Sequence, residues 1–183
     1  SAFQPSFLIR IHGFSTEQAG LALGLIHGLC GATGTLLGGY LADRLGKRDV
    51  RWRQWVPAIG ALLSAPFTLA ALLVGNGTLA AILMAGPTIG GLLYVAPTFS
   101  LAQSIAPAWA RATASALLLF AIGLVGQSCG PLFIGLLSDG FAAYGTNGLR
   151  IALFIVPLLQ LGSALHFYLA GHSLPRLGQI EEA

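Results

Sequence analysis

Charged residues are absent from five long stretches of the chain. These apolar stretches cover residues 19–41, 56–74, 78–102, 112–137 and 151–170. Each contains 19 to 26 residues, and an α-helix needs roughly 20 apolar residues to cross the hydrocarbon core of a bilayer. The pattern therefore predicts an all-α integral membrane protein with five full membrane-spanning helices.

The first eleven residues, 1–11, have the character of a helix end. Their sequence, SAFQPSFLIRI, contains apolar positions but is too short to cross a bilayer. The chain starts with Ser1, without a methionine and without the basic segment of a signal peptide. We therefore expect residues 1–11 to be the last turns of a sixth helix in a longer protein.

The composition excludes several other classes of protein. Only 8% of the 183 residues are charged, whereas soluble domains carry about 25%. The net charge of +3 does not indicate nucleic-acid binding, because the basic residues lie beside membrane spans, where they orient a chain in lipid. Cys30 and Cys129 both lie within apolar stretches, where a cysteine is usually a small apolar side chain. A soluble domain, a nucleic-acid-binding protein and a disulfide scaffold are excluded.

The distribution of basic residues predicts the orientation of the spans. Five of them lie in the loop 42–55, namely Arg44, Lys47, Arg48, Arg51 and Arg53. Cytoplasmic loops of membrane proteins are enriched in lysine and arginine, so this loop is expected to be cytoplasmic. Alternating the remaining loops gives seven basic residues inside, with Arg111 and Arg176, against Arg10 and Arg150 outside. The C-terminus is then cytoplasmic.

Glycine recurs at four-residue intervals within the spans. The sets are Gly20/Gly24/Gly28, Gly34/Gly38, Gly86/Gly90 and Gly126/Gly130. Glycine at this spacing leaves a flat stripe that lets a neighbouring membrane helix approach closely, which predicts a tightly packed bundle.

A short internal repeat links the first and fourth spans. The first ends with Gly39-Tyr-Leu-Ala-Asp43 and the fourth with Gly135-Leu-Leu-Ser-Asp139. The two spans are three crossings apart, so they run in opposite directions. A three-helix unit repeated with inverted topology is a building block of many secondary transporters.

The strongest local signal lies between the first and second spans. It reads Gly39-Tyr-Leu-Ala-Asp43-Arg44-Leu-Gly46-Lys47-Arg48. This segment resembles the G-x-L-A-D-R-x-G-R-R signature of the major facilitator superfamily, in the copy that belongs to the C-terminal half. The alternative interpretation is a generic basic cytoplasmic loop, for which the ordered spacing would be unusual.

A second segment, residues 96–139, resembles the spinster-like branch of that superfamily. The matching positions are Pro97, Gln103, Arg111, Gly126, Gly130, Pro131, Gly135 and Asp139. Two positions depart from the branch pattern, because Gly123 replaces the usual asparagine and Ser128 replaces a glycine.

The resemblance implies an architecture and a function. The five spans would be the eighth to twelfth helices of a twelve-helix transporter, with residues 1–11 as the end of the seventh, and the N-terminal half would be absent from this chain. The implied partners are that half, membrane lipid and a small amphipathic or lipid-like solute, with or without proton coupling. Sugars, organic anions and drugs are the alternative substrates. The implied location is the plasma membrane, the inner membrane in a bacterium.

The same resemblance implies a conformational switch at the cytoplasmic face. Asp43 would meet a helix end of the N-terminal half, and Arg111 would meet the signature loop of that half. The expected switch residues are Gly39, Asp43, Arg44, Gly46, Lys47, Arg48 and Arg111.

Polar residues within the spans are candidates for contact with substrate or protons. They are His27, Tyr94, Thr98, Gln127 and Ser128. Histidine titrates near physiological pH and could relay a proton, but a neutral histidine within a helix contact is the more common case. The hydroxyl and amide groups could equally join helices to one another.

Two functions outside transport are alternatives for this chain. His27 and Cys30 lie three positions apart and are the only pair that suggests an intramembrane nucleophile and base. The sequence offers no third orienting residue, no cluster of metal ligands and no cofactor motif, so we expect no enzyme. A membrane scaffold that does not transport is the remaining alternative.

Overall fold

The computed structural model describes residues 3–145 and 147–174, and every regular element within them is a helix. A short helix, α1 (Gln4–His12), precedes the long ones. The long helices are α2 (Thr16–Gly46), α3 (Trp52–Leu73), α4 (Gly77–Ile105), α5 (Ala108–Gly140) and α6 (Asn147–Ser173). Five helices of this part of the chain are thus long and apolar enough to cross a bilayer, which confirms the predicted all-α membrane class.

Short local signals separate α1 from α2. Gly13 ends α1 in the left-handed region, with φ of 70°, a conformation that costs glycine little. Ser15 then starts α2, because its hydroxyl accepts from the Gln18 N–H while the Gln18 side chain accepts from the Ser15 N–H. This reciprocal pair satisfies two backbone donors that a helix start leaves free. Ser1 and Ala2, the first residues of the expected helix end, lie outside the described part.

Helix α3 lies at the centre of the bundle. It packs along α6, and it also contacts α4 and α2. At the end of the bundle where α1 lies, Phe7 and Leu8 of α1 are almost completely buried. They join a cluster with Leu72 of α3 and Leu153 of α6. The short α1 is therefore an integral part of the helix packing.

Two of the glycine sets produce close helix contacts. A methyl group added at Gly34 or Gly38 of α2 would collide with backbone atoms of Ile89 and Leu93 in α4. Gly90 of α4 approaches α3 in the same way, against the Gly60 carbonyl. These sites fit the packing that the four-residue spacing predicts.

The other two sets do not pack within this chain. Nothing lies within 4 Å of a methyl group built at Gly20, Gly24 or Gly28, and the same holds at Gly126. At Gly130 the nearest atom is the Val125 carbonyl oxygen of its own helix, at 3.9 Å. Within the described residues these two stripes therefore face open space.

Helices α2 and α5 share an irregularity that extends the internal repeat. Each contains a π-helical segment, Ile26–Cys30 in α2 and Ile122–Cys129 in α5. Ile26 lies 17 positions before Asp43, and Ile122 lies 17 positions before Asp139. The two repeat copies therefore share both the terminal motif and the point at which the helix widens.

The same two helices bury the smallest share of their apolar surface. Their large exposed side chains are Leu21, Leu25, Leu29, Leu36, Leu37, Tyr40, Trp109, Leu117, Leu119, Phe120, Leu124, Val125, Leu132, Phe133 and Leu136. In a membrane protein such an apolar surface faces either lipid or other helices.

Candidate functional site

A cavity of about 890 Å³ lies among the helices. All six helices contribute to its wall. Its polar lining residues are Gln4, His27, Thr68, Thr88, Tyr94, Gln127 and Gln160. Apolar and aromatic residues, among them Phe3, Phe7 and Phe133, form much of the remainder. Such a volume is typical of binding sites for small organic molecules.

His27 reaches this cavity from the π-helical segment of α2. Its Nδ1 atom lies 2.8 Å from the Leu23 carbonyl oxygen, one turn earlier in the helix. Because a carbonyl oxygen can only accept a hydrogen bond, Nδ1 must carry the proton. In a neutral imidazole, Nε2 is then an acceptor.

Tyr94 and Gln127 line the same cavity from other helices. Tyr94 belongs to α4, where its ring centroid lies 6.3 Å from that of Phe167 in α6. Gln127 is exposed within the π-helical segment of α5. The structure thus gathers three of the five polar residues proposed from the sequence.

Thr98 and Ser128 are placed differently. The Thr98 hydroxyl is buried and has no hydrogen-bond partner in the described residues, and this residue is not among those that line the cavity. Ser128 donates to the Gly123 carbonyl at 3.3 Å within its own helix. Both therefore stand apart from the group formed by His27, Tyr94 and Gln127.

Gln4 and Gln160 also line the cavity and were missed in the sequence. The side-chain oxygen of each is buried without a hydrogen-bond partner in the described residues. An orphaned buried acceptor costs about 1–3 kcal/mol, so such groups are uncommon without a functional reason. A glutamine within an apolar stretch was the available signal, as at Gln127.

The signature loop forms a separate recess at the other end of α2. Asp43, Gly46, Lys47 and Arg53 surround a space of about 440 Å³. Gly46 is buried beneath Arg53, whose Cγ lies 3.3 Å from where a methyl group would stand. Asp43 itself is exposed at the rim, where a carboxylate can accept from an approaching helix N-terminus.

The other motif residues have simpler surroundings. A methyl group at Gly39 would stand 3.2 Å from the Ala96 Cβ of α4. Arg44 donates to the Tyr40 hydroxyl at 2.7 Å and lies over that ring. Lys47, Arg48 and Arg111 are exposed.

A polar contact joins three helices at the opposite end of the bundle. The Arg150 guanidinium of α6 donates to the Leu72 carbonyl at the end of α3. His12, which ends α1 outside the five long helices, lies close to the same group. Burial lowers the pKa of His12 below its usual 6.5; a backbone interaction with Gly75 raises it, and the positive charge of Arg150 lowers it further.

Metal binding has no support in the described part of the chain. No group of three or more His, Cys, Asp or Glu side chains comes together within residues 3–145 and 147–174. Arg176 and the chain end that follows it lie outside the described residues.

Comparisons with known proteins place the chain among transporters. It is 36% identical over 185 positions to an MFS-type efflux pump of Mycolicibacterium smegmatis (strain ATCC 700084 / mc(2)155), and the alignment covers 100% of this chain and 43% of the pump. The chain is homologous to MFS transporters. No protein-family model matches this MFS homologue.

The fold of the MFS homologue matches two solved structures of one transporter. Both are of a bacterial homologue of the human lysosomal transporter spinster, in inward-facing conformations. The occupied form has a TM-score of 0.80 at 24% identity, covering 94% of this chain and 45% of that one. The unoccupied form has a TM-score of 0.81 at 25% identity, covering 93% and 43%.

These comparisons confirm the resemblance to the superfamily and to its spinster-like branch that the sequence indicates. The MFS homologue is a multi-pass membrane protein with the fold of a C-terminal transporter half. It spans less than half the length of the relatives that it matches.

Proposed function

We propose that this chain is the C-terminal half of a secondary transporter that works by alternating access. The observation that carries the proposal is the cavity, whose lining includes residues of α2 and α5. These are also the helices with the largest uncovered apolar surface. An N-terminal half packed on that surface would enclose the cavity between the two halves, as in transporters built from paired repeats.

The proposed substrate is a small amphipathic or lipid-like organic solute, moved out of the cell. The apolar and aromatic wall with a few polar groups suits such a solute, and the efflux function of the mycobacterial relative supports the direction. Proton coupling is included in the proposal, with His27 as the residue of this half that could carry the proton. Catalysis and a bound cofactor are not part of the proposed function.

The loop 42–55 and the C-terminus are proposed to face the cytoplasm, and the membrane is proposed to be the plasma membrane. The support is the concentration of basic residues in that loop. Single cysteines at Asp49 and Asn76 of a cysteine-free background test the orientation in intact cells. A membrane-impermeant maleimide is expected to label Asn76→Cys only, and labelling of Asp49→Cys alone would overturn the orientation.

The signature loop is proposed to act as a switch between conformations. Gly39 and Gly46 permit close approach on either side of Asp43. Arg44, Lys47 and Arg48 hold the loop at the membrane surface, and Arg111 meets the corresponding loop of the other half. Asp43 would then stabilise the state in which its recess is covered by the N-terminal half.

Transport by the complete transporter, meaning this chain joined to its N-terminal half, is the decisive experiment. Purified protein in liposomes is given a pH gradient and four kinds of solute: a lipid-like amphiphile, a drug-like dye, a sugar and an organic anion. Saturable, gradient-driven movement of the amphiphile is the expected result. Transport of the sugar or the organic anion alone would show that the substrate class is that solute and not the amphiphile. Transport of none of the four solutes would overturn the transport proposal.

A further inference from the structure

Among the described residues, the polar groups that line the cavity can form hydrogen bonds but belong to no acidic residue, lysine or arginine. Among the described residues that line it, none is Asp, Glu, Lys or Arg. A ligand therefore finds no fixed ionic partner in this half of the site. Its recognition must rest on hydrogen bonds, on the orientation of dipoles and on apolar contact.

His27 contributes a hydrogen-bond acceptor, Nε2, because its other ring nitrogen is bonded to the Leu23 carbonyl. Its Nδ1 proton is directed at the Leu23 carbonyl, so the neutral ring offers the Nε2 lone pair. In the described residues, Nε2 has no hydrogen-bond partner. His27 is exposed, so a ligand in the cavity can reach this acceptor.

Two glutamine oxygens reinforce the same polarity. The Gln4 and Gln160 side-chain oxygens are buried in the wall, and neither has a donor from the described residues. No described lysine or arginine of the lining lies beside them. In a site of low dielectric constant such dipoles act strongly on a bound charge.

The exposed amide of Gln127 lies in the π-helical segment of α5, as His27 lies in that of α2. The two helices occupy equivalent places in the internal repeat. Both side chains thus line the cavity from the widened points of the two helices that leave the largest apolar surface uncovered. Tyr94, Phe3 and Phe7 also line the cavity, and aromatic side chains can attract a cation.

We propose that this site binds an amphipathic primary amine, whose ammonium group donates a hydrogen bond to His27 Nε2. An ammonium group has three donors and no acceptor, which complements the unpartnered Nε2 acceptor of His27. A carboxylate has no proton to donate to this lone pair. This proposal names the substrate class of the proposed transport function. It rests on that function in one respect, namely that the cavity is the substrate site.

The test measures binding to the complete transporter in nanodiscs, using decylamine and decyltrimethylammonium as probes. Both carry one positive charge and the same alkyl chain, but the trimethylammonium group has no N–H donor. Hydrogen bonds that involve a charged group contribute roughly tenfold or more in affinity. We therefore expect decylamine to bind roughly tenfold more tightly than decyltrimethylammonium.

Three variants identify the acceptor. His27→Leu removes it and is expected to abolish the preference for decylamine, whereas His27→Gln retains an acceptor oxygen and keeps part of the preference. Thr35→Val is the matched control, because Thr35 also donates to a backbone carbonyl of α2, at 3.1 Å, and does not line the cavity. It is expected to leave the preference unchanged.

The outcomes separate this inference from the transport proposal. Equal binding of the two probes by the native protein, or a preference that persists in His27→Leu, would overturn the assignment of His27. Gradient-driven transport of an uncharged or anionic amphiphile would then still support the proposed function. Selective binding of decylamine without transport of any solute would support the site and overturn the transport proposal.

Discussion

Asp43 illustrates how a single exposed carboxylate can matter in this protein. Its recess contains the cations of Lys47 and Arg53, which could simply balance its charge. Exposed ion pairs of that kind contribute about 0–1 kcal/mol. A carboxylate at a helix N-terminus contributes about 0.3–1 kcal/mol when exposed and up to ~2 when partly buried, so the two roles differ most when the other half covers the recess.

Asp43→Asn in the complete transporter is expected to favour the inward-open state and slow transport. A loss of about 0.3–2 kcal/mol changes a conformational equilibrium roughly two- to thirtyfold, without unfolding the bundle. Labelling of cysteines in the cavity from each side of the membrane measures the equilibrium. Asp43→Glu keeps the charge, so its conformational equilibrium and transport rate are expected to stay close to those of the native protein. If Asp43→Asn shows the native pattern of cysteine labelling and the native transport rate, Asp43 has no role beyond that of a surface charge.

At the scale of helices, contact between α2 and α4 depends on the absence of side chains at two positions. Gly34 and Gly38 lie against the backbone of Ile89 and Leu93, and backbone atoms cannot move aside as a flexible side chain can. By contrast, the stripe from Gly20 to Gly28 meets nothing within this chain. The same four-residue spacing therefore serves contacts that this chain makes and surfaces that it leaves open.

Gly34→Ala is expected to lower the stability of the bundle. Overpacking of this kind typically costs about 1–3 kcal/mol, which outweighs the roughly 1 kcal/mol by which alanine favours a helix over glycine. Gly162→Ala in α6 is the control, because nothing lies within 4 Å of the added methyl group. Thermal unfolding in detergent should show a lower midpoint for Gly34→Ala only, and equal midpoints would contradict the close contact.

At the scale of the whole molecule, the contact at His12 and Arg150 connects α1, α3 and α6. Arg150 reaches across from α6 to the end of α3. Burial is the largest influence on His12 and lowers its pKa, while the Gly75 backbone raises it and Arg150 lowers it again. The folded imidazole therefore takes up a proton less readily than the same group in the unfolded chain.

Acidification is expected to weaken this contact. The His12 imidazole of the unfolded chain binds its proton near pH 6.5, whereas that of the folded protein binds it only at lower pH. The stability that His12 contributes above pH 6.5 is therefore lost as the pH falls below this value. The midpoint of thermal unfolding should drop between pH 7.5 and 5.5 by more in the native protein than in His12→Gln. Equal drops in both proteins would assign the pH dependence to other groups.

Isolation of this chain is expected to abolish transport. Its uncovered apolar side chains on α2 and α5 would contact detergent or lipid, and alternating access requires two units that move against each other. Liposomes with the chain alone should show no saturable uptake, whereas co-expression with the N-terminal half should restore it. Gradient-driven uptake by the chain alone would contradict the two-half architecture.

The sequence by itself determined the class, the number of long helices and the resemblance to the superfamily. These follow from local patterns, because about twenty apolar residues must form a membrane helix and because the signature from Gly39 to Arg48 is continuous in the chain. The repeat between Asp43 and Asp139 was also visible, but its shared π-helical segments were not. A π-helical segment depends on small local departures in backbone hydrogen bonding that residue type does not reveal.

Only the tertiary structure decided which polar residues share one cavity. Tyr94 and Thr98 are four residues apart in one helix, where the Thr98 N–H donates to the Tyr94 carbonyl at 3.0 Å, yet only Tyr94 lines the cavity. Gln4 and Gln160 join His27 there from the two ends of the sequence. Sequence periodicity indicates which residues share one face of a helix. Which helices come together depends on packing between residues that are distant in sequence, such as the approach of Gly34 to Ile89.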